Sequence, residues 1–432
     1  MADAVLPADF LRGVDAELGD TDDLLEQAYP GDDGRRQPVH TVYVPADRYT
    51  PALPGEWGAA ALDLVAQHGG LAALAADLGL GGDVAEQVAA RVDTKLRTAP
   101  IEDLRLDFED GYGDRGDAAE DADSVTAAGA VADALEAGTS PDFIGIRFKC
   151  FEAPTRRRGI RTLDLFLGSL LERVGQVPEQ LVLTFPKVST VSQVEAMVSV
   201  CEALESAHGL ERGALGFEIQ VETPQLILGP DGSAPVATAI HVAGGRVTSL
   251  HYGTYDYSAS LQIAAEYQAS DHPAADHAKT VMQLAAAGTG VHLSDGSTNV
   301  LPVGSPEQVR SAWALHAGLV ERALRRGYYQ GWDLHFGQLP TRYLTTFAFY
   351  RSGFDRAASR LANYVSKTDS AIMDEPATAR ALSRFLQRGH ACGAIDESEL
   401  IATTGLDVAA IGALARPHSD PESLRAGAGA GS

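Results

Sequence analysis

The sequence predicts an α/β fold: a (β/α)8 TIM barrel with an acidic N-terminal arm and a C-terminal helical appendage. Three observations carry that reading. Eight short apolar or β-branched runs alternate with longer segments of helical period, the pattern of parallel strands joined by helices. Together they fill about 300 residues, the size of such a barrel with insertions. No G-x-G-x-x-G follows the first run, so the dinucleotide-binding form of the rival doubly wound sheet lacks its usual mark.

The runs expected as strands occupy residues 40–45, 103–108, 143–148, 181–186, 215–221, 247–252, 290–293 and 332–336. Between them, Val194, Met197, Val198, Cys201 and Leu204 share one helix face, and Gly209 follows as a stop. Ser305-Pro306-Glu307-Gln308 opens another helix as a capping box with proline in the first turn, and Gly327 closes it. Segments 123–138 and 162–175 repeat the scheme. Beyond Gln338 the segments 343–365 and 376–414 are helical in period, with Pro376 at a first turn, and are expected to pack near the barrel mouth.

This divides the chain into an arm (1–36), a catalytic barrel (37–340), a helical region (341–418) and a disordered tail (419–432). The arm carries ten acids against Arg12, Arg35 and Arg36 and ends in the turn-forming Pro30-Gly31-Asp32-Asp33-Gly34. The tail has almost nothing apolar to bury.

Composition narrows the function. With 45% hydrophobic and 22% charged residues the chain has material for a sizeable core, which excludes global disorder. Its 34 basic against 59 acidic residues leave a net charge of −25, a poor footing for phosphate backbones or anionic bilayers, so neither nucleic acid nor membrane is expected as a partner. Cys150, Cys201 and Cys392 are too few and too scattered for a disulfide framework or thiolate metal site. The opening Met-Ala-Asp-Ala-Val has neither the basic start nor the apolar core of an export signal, and a cytoplasmic location is expected.

In a barrel of this kind chemistry gathers at the carboxyl ends of the strands, so polar residues closing an apolar run are the candidates. The second run ends in Asp107-Phe-Glu109-Asp110-Gly111, the third reaches Arg147 and Lys149, and the fourth reaches Lys187. The fifth and sixth stop at Glu222 and Asp256. A single acid at a strand end more often pairs with an arginine or caps a helix. Two at consecutive strand ends suit a hard divalent ion that keeps waters for a substrate to displace, and Mg2+ is the natural choice.

At these residues the chain resembles the HpcH/HpaI aldolase and citrate lyase β-subunit superfamily. Glu222 in Val-Glu-Thr-Pro resembles its I-E-T, and Gly253-Thr254-Tyr255-Asp256 resembles its G-x-x-D metal motif. Tyr43-Val-Pro45-Ala-Asp-Arg48 resembles the F-V-P-x-x-R first strand, and Asp107-Phe-Glu109-Asp110 the D-L-E-D second strand. Ile146-Arg147-Phe-Lys149, with Gly159 and Asp164 trailing, resembles the R-x-N third strand. The closing G-x-x-G-x-x-x-I-H-P-x-Q is matched by residues 327–338, with His335 at the histidine. These six motifs fall in order over roughly residues 40 to 340.

The resemblance implies a Mg2+-dependent (β/α)8 barrel in which Glu222 and Asp256 hold Mg2+, or Mn2+, and Arg147 binds an enolate oxygen as charge develops on it. Glu109 and Asp110 are candidates for ordering metal waters or the arginine, and His335 for moving a proton, as is His292 before the seventh strand end. Arg48, Lys149, Lys187, Gly253, Thr254 and Tyr255 are candidate substrate contacts. Lys187 is in principle a Schiff-base lysine, but its setting after Phe185-Pro186 favours a structural or electrostatic role.

Pyruvate-specific members carry a histidine where this chain has Asp107-Phe-Glu109-Asp110, which draws it toward the citrate lyase and malyl-CoA lyase branch. Lys149 replaces an asparagine, and Phe336-Gly337 replaces the proline that follows the family's histidine. A basic loop, Arg156-Arg157-Arg158, either binds a carboxylate-rich or phosphorylated substrate such as a CoA thioester or neutralises nearby acids.

The expected function is therefore a Mg2+-dependent carbon–carbon lyase or aldolase. It would act on a 2-oxo acid or acyl-CoA through a metal-stabilised enolate. A malate synthase-like condensing enzyme and a noncatalytic barrel that binds a small acid are the alternatives. The partner is a small carboxylate or acyl-CoA, and by resemblance the protein is a homo-oligomer.

Overall fold

A computed structural model describes residues 5–366 and 375–416. Its centre is eight parallel strands: β1 (Thr41–Pro45), β2 (Asp103–Asp107), β3 (Phe143–Arg147), β4 (Leu181–Phe185), β5 (Phe217–Val221), β6 (Val247–Tyr252), β7 (His292–Ser294) and β8 (Trp332–Asp333). Neighbours pair in chain order from β1 to β7, and β8 pairs with β1. A parallel bridge between Ser294 and Gln330, with the Asp295 N–H donating to the Gln330 carbonyl at 2.8 Å, closes the ring. With helices between the strands, this is the expected (β/α)8 barrel.

Seven of the expected runs contain their strands; the seventh in order, expected at 290–293, is shifted to His292–Ser294, and the trimming at the last strand has a physical cause. The last strand stops two residues in because Gln338 Oε1 accepts the N–H groups of Leu334, at 2.7 Å, and His335, at 3.2 Å. Those donors are then lost to a ladder, and the chain winds into a 3-10 turn, Phe336–Gln338.

Strand alternation sorts the side chains. Leu104, Leu106, Ile144, Ile146, Ile219, Val221 and Leu250 are fully buried under the surrounding helices. The lumen is polar instead of the usual branched-aliphatic filling. Arg105 of β2 reaches across to Glu218 of β5 at 2.9 Å and also pairs with Asp103. Thr184 donates to Glu218 at 2.5 Å, and the Trp332 indole donates to His251 Nδ1 at 3.1 Å. Breaking one partner out of such a fully buried ion cluster costs about 3–5 kcal/mol, because the other charge is stranded.

The helices follow their sequence signals. Ser305 and Gln308 form the reciprocal capping box, with Pro306 in the first turn of Pro306–Arg325. Val191–His208 ends on Gly209 in the left-handed conformation. One expectation is corrected: Arg156-Arg157-Arg158 is the first turn of a helix, Arg156–Val174, and no loop.

The C-terminal region is also corrected in placement and continuity. Leu339–Ser366 packs on the Gly82–Thr98 and Pro306–Arg325 helices. Its Tyr343 hydroxyl donates to the Pro100 carbonyl at 3.0 Å, just before β2 begins. The appendage therefore runs along the side toward the amino-terminal end of the barrel, away from the mouth. The segment 376–414, expected to be helical in period, holds three helices, Pro376–Ala391, Glu397–Thr404 and Val408–Ala415, with Gly405 at φ 72° ending the second. The expected tail at 419–432 lies outside the described residues.

The arm contains a helix, Ala8–Ala28, none of whose residues is buried. Among the described residues no single helix is long and apolar enough to cross a membrane.

Candidate active site

The carboxyl ends of β2 to β6 bring the central candidates together, and the pivot is Asp107, the last residue of β2. Its carboxylate takes Arg147 Nε and Nη2 at 2.7 Å each. It also accepts the N–H groups of Glu109, at 3.0 Å, and Gly111, at 2.8 Å, so the Asp107-to-Gly111 turn is wound around it. A Cβ at Gly111 would lie 2.6 Å from Asp107 Oδ2, so the turn needs a glycine there.

Arg147 is 6% exposed and sits over the Tyr43 ring, 4.7 Å from its centroid. With Nε and Nη2 engaged, Nη1 has only two long contacts, to Gln220 Oε1 and Glu109 Oε2 at 3.5 Å each. Burial works against the charge, but Asp107 and Glu109 outweigh it and hold the guanidinium protonated far above its ordinary value. Arg147 thus has one edge, Nη1, held only by long contacts, against the tight pair on Nε and Nη2.

Lys187, directly after β4, ties the remaining acids. Its φ of 52° is the left-handed conformation that an L-residue adopts at a cost of about 1–2 kcal/mol. In that conformation its N–H donates to Glu222 Oε2 at 3.0 Å, while Nζ reaches Glu109 and Asp110 at 2.7 Å and Asp256 at 3.5 Å. One residue thereby touches acids from the ends of β2, β5 and β6. Burial lowers the ammonium's affinity for its proton, but Glu222 and Glu109 reverse this and raise it well above the ordinary lysine value. A neutral amine, which imine formation requires, is unavailable at such a site.

Glu222 is 2% exposed, and burial pushes its carboxyl up to about 7. Lys187 and Arg147 pull it down, while Glu109 and Asp256 push it further up. Burial likewise raises Glu109 against the pull of Arg147 and Lys187. A Cβ on Gly253 would come within 2.3 Å of Glu222 Cγ, so the glycine of Gly-Thr-Tyr-Asp makes room for the acid. Thr254 is buried and donates to the Ser297 carbonyl at 3.1 Å, and the Tyr255 hydroxyl accepts the Asn299 N–H at 2.5 Å. These two contacts join the β6 end to the loop after β7.

Other candidates stand apart from this centre. Lys149 spends its ammonium on the Phe108 carbonyl at 2.8 Å, the Gly113 carbonyl at 3.1 Å and Glu120 at 2.6 Å, bracing the loop after β2. His335 accepts the Gly337 N–H on Nδ1 at 3.1 Å and packs against Phe336. Among the described residues its hydrogen-bond and ring partners include none of Arg147, Glu222 and Asp256, and burial lowers its pKa. His292 begins β7 and so lies at the opposite, amino-terminal end of the barrel. Arg48 is exposed in the turn after β1, at the mouth.

Sequence reasoning took Asp107 and Tyr43 only as parts of motifs and Gln220 only as part of a strand run, and it missed that these three orient Arg147. The signal was present in Asp103-Leu-Arg105-Leu-Asp107 and Glu218-Ile-Gln220-Val-Glu222, where polar residues at every second position mark a polar lumen face.

Fold and site together define a (β/α)8 barrel with its polar groups gathered at the carboxyl ends of the strands. The chain belongs to the family described as "Domain of unknown function (DUF6986)", whose model matches residues 18–419. The structure is similar to a citrate lyase from Burkholderia xenovorans LB400, with a TM-score of 0.54 at 18% identity over 85% of this chain and 96% of that one. That likeness establishes a shared fold. Weaker likenesses reach CitE from Mycobacterium tuberculosis in complex with magnesium, acetoacetate and coenzyme A (TM-score 0.46, 16% identity, 83% and 99% coverage). Malate synthase from Haloferax volcanii gives a TM-score of 0.45 at 14% identity, with 86% and 90% coverage. No curated protein matches the chain.

Proposed function

We propose that the protein is a divalent-metal-dependent carbon–carbon lyase or aldolase acting on a 2-oxo acid or an acyl-CoA through an enolate. The observation that carries this reading is the loosely held Nη1 edge of Arg147, with contacts no shorter than 3.5 Å, beside acids that converge on Lys187.

Glu222 and Asp256 are the residues that would hold the ion. Both are hard oxygen donors that meet at Lys187, and among the described residues no three His, Cys, Asp or Glu converge as a metal-binding group. Two carboxylates with the remaining positions left to water and substrate suit Mg2+ or Mn2+. Such an ion supplies Lewis acidity to a substrate carbonyl.

The chain's own groups do the rest. Asp107 and Tyr43 fix the Arg147 plane, so Nη1 is already oriented when negative charge appears on an enolate oxygen, and no reorganisation is needed. Glu109 lies between Arg147 and Lys187, its carboxyl raised by burial, and is placed to exchange a proton with the substrate carbon directly or through a water. Lys187 stays an ammonium and balances the acids, which favours metal over imine chemistry. Arg48, exposed at the mouth with Arg156 and Arg157 in the first turn after β3, would meet the substrate's carboxylate or the phosphates of a CoA thioester.

The test is proton exchange. The protein with Mg2+ is expected to exchange the methyl protons of pyruvate, or the equivalent protons of another 2-oxo acid or acyl-CoA, into D2O, and to lose this with a chelator. A full panel without exchange overturns the reading.

A further inference from the structure

We propose that the Ala8–Ala28 helix is an exchanged arm. In a two-fold dimer of this chain it lies across the outer face formed by the Pro224–Ile227, Pro235–Val242 and Pro273–Ala286 helices of the other copy. The proposal is independent of the reaction assigned above.

The helix has an apolar stripe that no described residue buries. Leu11, Leu18 and Leu25 recur every seven residues, with Phe10 and Val14 beside them, and all five are 37–55% exposed. A lone helix of this length is marginal in water, and an apolar stripe of this kind ordinarily lies on a partner surface.

Among the described residues, its contacts with its own barrel gather at the root. The Tyr29 ring meets His241 edge-on, with centroids 5.3 Å apart, and the Gly31 N–H donates to the Gly288 carbonyl at 2.7 Å. That root rests on the end of Pro235–Val242 and the turn after Pro273–Ala286. These two helices pack on each other and on Pro224–Ile227. The same group carries three exposed apolar side chains, Leu284 at 74%, Leu228 at 63% and Val242 at 36%.

Charge and area choose between the two ways a second copy can cover the stripe. Pairing arm with arm sets two helices side by side, each with seven acids against the single Arg12. A helix of 21 residues is about 31 Å long, and a stripe about 10 Å wide offers about 300 Å2. Two arms pressed together would bury only about 600 Å2, the range of incidental contacts. Reciprocal seating of each arm on the other copy's body doubles this to about 1,200 Å2, where stable interfaces begin, and keeps the acidic faces apart. It also extends the seat that Tyr29 and His241 already make, in a closed, self-complementary arrangement.

The test is the mass of the full chain in solution, by sedimentation or light scattering at micromolar concentration. The wild type is expected at twice 45.5 kDa. A triple variant, Leu11→Asp with Leu18→Asp and Leu25→Asp, is expected at half the wild-type mass, and so is Leu284→Asp alone. These side chains are exposed within one copy, so both variants should keep the barrel's cooperative thermal unfolding, losing at most the helical signal of the released arm. A monomeric wild type overturns the proposal, as does an assembly that survives either variant. Dissociation by the arm variant alone overturns it in favour of arm-on-arm pairing.

Discussion

Asp107 grips Arg147 through both carboxylate oxygens, at 2.7 Å to Nε and 2.7 Å to Nη2, and so decides which edge of the guanidinium faces the site. A lysine cannot be gripped in this way, because its ammonium is a point charge on a flexible stem. Arg147→Lys is therefore expected to lower kcat by about 100-fold or more, in line with loss of one pre-aimed donor, while KM changes much less. Steady-state kinetics on the substrate found by proton exchange check this. Wild-type turnover in the variant would remove Arg147 from the chemistry.

The closeness of Gly253 to Glu222 gives a second prediction. A methyl group at Gly253 would press on Glu222 Cγ at 2.3 Å and Oε1 at 2.8 Å, and Glu222 is too enclosed to give way without leaving its place. Gly253→Ala is expected to weaken divalent-ion binding by at least tenfold in calorimetry. Glu222→Gln is expected to abolish that binding while the fold persists. Unchanged affinity in both would dissociate the ion from this acid.

Acid stability should depend on a residue far from the mouth. Burial raises the Glu205 carboxyl, but Arg246 and the N–H groups of Leu215 and Gly213 more than reverse this and bring it down to about 2. A carboxyl held below its unfolded value stabilises the protein above that value, near 4.5, and the contribution is lost as pH falls toward 2. Thermal melting against pH should show this loss between those limits. Glu205→Gln should flatten that segment of the curve, and an unchanged slope would assign the acid sensitivity elsewhere.

The strands were legible because period-two runs bounded by turn formers leave little choice, and the capping boxes at Ser305 and the stop at Gly209 followed for the same local reason. The basic triplet at 156–158 was misread as a loop because three arginines in a first turn oppose the helix dipole, and local preference argues against a helix there. The C-terminal region was misplaced because its seat beside Pro100 and the Gly82–Thr98 helix is a long-range contact with no local signature.

At the site, Glu222, Asp256, Arg147 and Glu109 were legible as polar residues ending apolar strands. The hub role of Lys187 was not, since it depends on a left-handed backbone that nothing in Phe185-Pro186-Lys187 announces. Nor could sequence separate Lys149 from the substrate contacts. Only the fold shows its ammonium already saturated by Glu120 and two carbonyls.

The charged lumen constrains how this barrel can change over generations. Arg105, Asp103 and Glu218 answer one another inside a dry space, so replacing any one leaves its neighbours worse off than replacing all three together. Drift by single steps is blocked there, and descendants of this chain should either keep the trio whole or exchange it wholesale for an oily filling.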